Sequence, residues 1–92
     1  MSCKVDVDTA VKTDILDCNA AVRRQIGNFL IDLQDNPLPT NRMEMDGAFY
    51  CLLPCGYYVS WEVFGDVMKF ALGGETKGIS IRILGIGCEL PR

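Results

Sequence analysis

The run GYYVSWEV, Gly56 to Val63, sets Tyr58, Ser60 and Glu62 at every second position. A phenol and a carboxylate on one strand face are the parts of a general acid–base pair. Arg42 and Arg82 add guanidinium groups of the kind that hold a phosphate and stabilise charge developing on it. Arg42, Tyr58, Glu62 and Arg82 are therefore the candidate catalytic set, and the chemistry they suit is phosphodiester cleavage. A simpler account stands beside it: alternation alone gives a half-buried strand a polar face, and single arginines are ordinary surface charge.

Two further stretches invite a chemical reading. CLLPC places Cys51 and Cys55 four residues apart, but the chain has no histidine, so only Cys3, Cys18 and Cys88 are left to complete a zinc site. The expectation is free thiols and no metal. GGETKG has the glycines of a phosphate loop without the spacing to a lysine and hydroxyl, and it is expected to be a mobile turn. No cofactor is implied.

These residues must be positioned by one small domain, residues 1–92, with 49% apolar residues. A chain of this size buries roughly 60–65% of its unfolded surface, which leaves modest stability and favours a partner or self-association. The net charge is −3 and the nine Lys and Arg are scattered, an unpromising distribution for a phosphate backbone, although a local patch stays open. The opening MSCKVDVDTA has no basic segment before an apolar run, and no stretch approaches the roughly 18 apolar residues of a membrane span. A cytoplasmic protein without a membrane role is expected. Five cysteines, an odd number in a reducing compartment, argue against a disulfide framework.

KVDV, Lys4 to Val7, reads as a short strand, with Asp8 or Thr9 able to cap a helix reaching about Asp17. Asn19 caps a second helix, whose Val22, Ile26, Phe29, Leu30 and Leu33 follow the spacing of a core-facing stripe. DNPLP ends it, since Pro37 cannot donate a backbone hydrogen bond and excludes helical geometry from the residue before it. AFYCLLP and GYYVSWEV form a hairpin, and ISIRILGIG gives a last strand with Ile79, Ile81 and Ile83 on one face. Asp66 to Leu72 is compatible with a further strand or a helical turn. Strand, two helices, then three or four antiparallel strands predict an α+β domain with the helices on one face of a single sheet and the other face free.

This order and several local stretches resemble the RelE/ParE superfamily, the toxins of bacterial type II toxin–antitoxin and plasmid-stabilisation pairs. The similarity runs from Lys4 to about Glu89. It is carried by a helix ending in FLIDLQDNPLP, the glycine before an aromatic strand in MDGAFYCLL, a GYYVSWEV strand similar to the family's D-Y-R-V-x-Y-E-V, and the closing IRILGIG. The resemblance implies an open sheet face that in RNA-cleaving members carries basic side chains. It places Cys51 and Leu53 where such members have cations, Tyr58 where they have an arginine, and Cys88 and Glu89 where they have an imidazole and a guanidinium. A carboxylate about 4 Å from a phosphate repels it by roughly 4 kcal/mol at an effective dielectric of 20. The chain also ends at Arg92, short of the segment that supplies a catalytic tyrosine in some members.

The family implies an antitoxin protein as partner, and the ribosome with its mRNA as a target. With so few cations at the expected site, the free face, taken to include Cys51, Leu53, Tyr58, Ser60 and Cys88, is expected to bind a protein rather than RNA. Two alternatives remain: a ribosome-dependent mRNA endoribonuclease using Arg42, Tyr58 and Arg82, and a gyrase-directed toxin of the ParE kind.

Overall fold

The computed structural model describes residues 3–88. Its elements are β1 (Lys4–Val7), α1 (Thr9–Leu16), α2 (Ala20–Asp35), β2 (Met43–Met45), β3 (Ala48–Leu52), β4 (Tyr58–Phe64), α3 (Val67–Gly73) and β5 (Ser80–Gly87). The sheet order is β1-β5-β4-β3-β2. Pairings are antiparallel from β2 through β5, as expected, whereas β1 joins the far side of β5 in parallel, so the sheet is mixed.

The caps follow local chemistry. Asn19 accepts a hydrogen bond from the Val22 amide at 3.0 Å and starts α2. Asp8 occupies the N-cap position of α1, yet its carboxylate makes no cap bond and turns instead to Arg82 at 3.5 Å. The ambiguous 66–72 stretch is helical: Asp66 accepts from the Lys69 amide at 3.0 Å, and Gly74, at φ 69°, supplies the left-handed residue that ends α3.

The core lies between the helices and one sheet face. Val11, Val22, Ile26 and Leu33 meet Cys51, Val59, Trp61, Ile79, Ile81 and Ile83, all buried. Burial on this scale is the main source of stability, at about 1.5–3 kcal/mol for each large aliphatic side chain. Trp61 anchors it. Its indole lies 5.4 Å from the Phe29 ring and 5.8 Å from Phe49, and its Nε1–H donates to the Pro37 carbonyl at 3.1 Å. The proline turn after α2 is thereby tied to the centre of β4.

β5 carries an irregularity that keeps its second half in phase. Trp61 pairs with Ile83 and Ser60 with Gly85, so Leu84 is the extra residue of a bulge. Ile83 and Ile86 consequently both face the core although three residues apart, and Leu84 is turned outward.

Candidate functional site: the open sheet face

The face opposite α1 and α2 can be mapped from the register. One row across it reads Asp6, Arg82 and Glu62, with Met45 beyond Ala48 at the β2 end. The next reads Gly85, Ser60, Tyr50 and Met43, and the next Gly87, Tyr58 and Leu52. Phe64 and Ser80 stand on the other side of the Arg82 row, with Lys4 beside them.

Tyr58, Ser60, Glu62 and Arg82 share this face, as the alternation of β4 and β5 predicted. Cys51 and Leu53 do not, which corrects the expectation that they form part of an exposed partner surface. Cys51 pairs with Val59 on the helix side and is 2% exposed, and Leu53 is 8% exposed. Both line a pocket of about 330 Å³ between β3 and the C-terminal end of α2. The strand positions that do reach the open face are Tyr50 and Leu52, the latter 53% exposed. The cause is phase: AFYCLL is apolar on both faces, so its pattern does not say which residues point inward, and the pairing with β4 decides.

Arg42 also stands apart from the other candidates. Its Nη1 donates to the Leu38 and Pro39 carbonyls at 3.3 and 3.0 Å, and its guanidinium lies 5.6 Å from the centroid of the core-side Phe49 ring. These contacts staple the 38–42 turn to β3, and the Nε is buried with no partner among the described residues. Arg42 is therefore on the helix side of the sheet, away from Tyr58, Glu62 and Arg82. Cys88 is exposed but stands beside Tyr57, whose side chain packs with the core, rather than among the open-face residues. Glu89 lies outside the described residues.

The charges on the open face are largely answered by neighbours. Arg82 contacts Asp8 at 3.5 Å and is flanked by Asp6 and Glu62 on the adjoining strands. Lys4 contacts Asp6 at 3.7 Å. Such exposed pairs contribute only about 0–1 kcal/mol to stability, but they diminish the attraction a cation offers to phosphate. Around them, Met43, Met45, Leu52, Phe64 and Leu84 are exposed large apolar side chains. Tyr50 and Tyr58 lie with ring centroids 6.1 Å apart, and Ser60 is covered, its hydroxyl donating to the Gly85 carbonyl at 3.3 Å.

Tyr58 owes its position to the lack of a side chain opposite. A Cβ on Gly87 would stand 2.9 Å from the Tyr58 Cε1 and Oη. Gly87→Ala is therefore expected to swing the phenol off the sheet while leaving stability within about 1 kcal/mol of wild type, because a free side-chain end can yield. Ring-proton NMR shifts of Tyr58 and Tyr50 check this; unchanged ring shifts would show that the phenol does not rest on Gly87.

The thiols are of two kinds. Burial pushes the Cys51 thiol above its ordinary value of 9.0, against an opposing hydrogen bond from Asn41, and burial likewise raises Cys3. Electrostatic interaction with Cys18 is the main influence holding the Tyr57 phenol above 10.0. Iodoacetamide at pH 8 should modify exposed Cys88 first and spare Cys3 and Cys51 until the chain unfolds. Raised thiol values also set a pH limit. Their contribution is intact below 9.0 and is lost as pH rises toward the folded values, because the unfolded chain ionises first. The urea midpoint should fall between pH 8 and 10, and fall less in Cys51→Ala.

No protein-family model and no curated protein sequence matches the chain. Among solved structures, a double arginine-to-alanine mutant of the E. coli toxin RelE in its free state superposes with a TM-score of 0.68 and 16% sequence identity, covering 95% of this chain and 83% of that one. The fold is RelE-like. At this identity the likeness speaks for architecture, and the chemistry of the face has to be argued from its own residues. A RelE-like sheet here carries tyrosines, methionines, leucines and answered charges. The β3 residues responsible, Tyr50 and Leu52, were missed by sequence reasoning, although the Asp46–Gly47 turn offered a register signal.

Proposed function

We propose that this chain is a toxin-superfamily protein of a toxin–antitoxin-type module, acting mainly by binding another protein through its open sheet face. The observation that carries the reading is the combination on that face: paired tyrosines, exposed Met43, Met45, Leu52 and Leu84, exposed Phe64 at the far end of β4, and Arg82 and Lys4 already facing carboxylates. An apolar surface whose cations already face carboxylates favours a protein partner over a polyanion. The RelE-like fold supports an antitoxin as that partner.

Co-expression with each short reading frame found beside the gene tests this. The neighbour's product should co-purify and raise the melting temperature, and Leu52→Ser should weaken the complex. Failure of the product to co-purify, with a monomeric chain of unchanged melting temperature, would overturn the reading.

A ribosome-dependent endoribonuclease is the second reading, favoured by the Tyr50–Tyr58 pair, whose rings could stack on bases near Arg82. Induced expression would then cut translated messages, and Tyr58→Phe or Arg82→Ala would relieve the growth arrest. Arrest that persists in both variants removes these residues from such a mechanism.

A further inference from the structure

We propose that the open face seats a peptide segment of its partner that lays apolar side chains on Met43, Tyr50 and Leu52 and brings a lysine or arginine over Glu62. The proposal rests on the protein-binding reading above and specifies the chemistry of the partner. Its starting point is Glu62, half-buried at the middle of the face, which among the described residues has neither a hydrogen bond nor an ion pair. Arg82 stands directly across from it on β5, but the guanidinium is engaged by Asp8. Asp6 flanks Arg82 from the other side. Asp6, Asp8 and Glu62 thus outnumber the single guanidinium among them, and Lys4 is drawn to Asp6 at the margin. A second cation is the group this row lacks.

The rest of the face narrows the geometry. One step beyond the Phe49–Trp61 pair, Ala48 at the start of β3 leads from the Glu62 side of the face to its partner Met45, and along the strand lie Ser60, Tyr50 and Met43. Ala48 and Ser60 are small and themselves buried, so the strip beside the carboxylate is floored by their larger neighbours, with Met43, Met45 and Leu52 exposed on its β2 side. A segment crossing the strip can reach Glu62 with a long basic side chain, burying its alkyl stem against the apolar neighbours. Charge complementarity then rejects an acidic segment and a nucleic acid alike, which gives the face its selectivity.

Selection of short random peptides displayed on phage against the immobilised chain, followed by affinity measurement on synthetic copies, tests this. Enriched peptides should carry a lysine or arginine flanked by apolar residues. Their binding should fall about tenfold in Glu62→Gln, by loss of the charge partner, and about as much in Leu52→Ser, by loss of the apolar wall. Replacing the peptide's basic residue by glutamate should remove binding altogether. Thermal melts of both variants establish that the fold is retained. If the enriched peptides are neutral or acidic yet still depend on Leu52, the claim about the cation is overturned and protein binding by the face survives. If no peptide responds to Leu52→Ser while an oligouridylate binds wild type and not that variant, both are overturned.

Discussion

Gly65→Ala should lower stability by about 3 kcal/mol or more, a large part of the roughly 5–15 kcal/mol that holds a domain of this kind together. Gly65 follows β4 at φ +108°, where a side chain is strained, and a Cβ there would lie 2.1 Å from the Gly78 carbonyl oxygen and 3.1 Å from the Ile79 Cα. Both obstacles are backbone, so no rotamer change can relieve them. The only escape is to part the ends of the excursion that carries α3, which disturbs the Phe64–Ser80 pairing and the seat of buried Ile79. Gly78→Ala is the control. Gly78 has φ +81° but open space around it, so its substitution should cost about 1 kcal/mol from backbone strain alone. Urea denaturation of the two variants checks the difference, and equal midpoints would mean that the close approach constrains nothing.

Trp61→Ala should cost about 3–5 kcal/mol and leave much of the chain unfolded at 37 °C. The substitution removes the fully buried ring against which Phe29 and Phe49 pack, and it strips the Pro37 carbonyl of its donor. Trp61→Phe separates the two effects. It preserves most of the ring contact and should cost mainly the unsatisfied carbonyl, about 1–3 kcal/mol. Circular dichroism during thermal denaturation gives both values. Equal destabilisation by alanine and phenylalanine would locate the whole effect in the hydrogen bond.

What was legible in the sequence was whatever a period expresses. The stripe of Val22, Ile26 and Leu33, the inward Ile79, Ile81 and Ile83, and the alternation of Val59 and Trp61 against Tyr58, Ser60 and Glu62 all appear as read. β3 was not legible in phase. Its unbroken apolar run satisfies either face, and the assignment of Cys51 and Leu53 to the surface came from the resemblance. β2 was missed although Asp46 and Gly47, at φ 52° and 80°, are the residue pair a two-residue hairpin turn prefers. The role of Arg42 was equally hidden, because a guanidinium folding back onto carbonyls three and four residues before it in an irregular turn has no periodic signature. Parallel pairing of β1 with β5 is a long-range choice that neither strand's residues announce.

That pairing has a consequence for how the chain comes into being. Among the described elements β1 is the first to be made, yet β5, its neighbour in the sheet, is the last. During synthesis α1 and α2 emerge early with no floor to rest on, and the row that sets Asp6 beside Arg82 and Glu62 cannot exist until Ser80–Gly87 has left the ribosomal tunnel. The open face is therefore assembled from both ends of the sequence at once, and it takes shape only when β5 slots between β1 and β4.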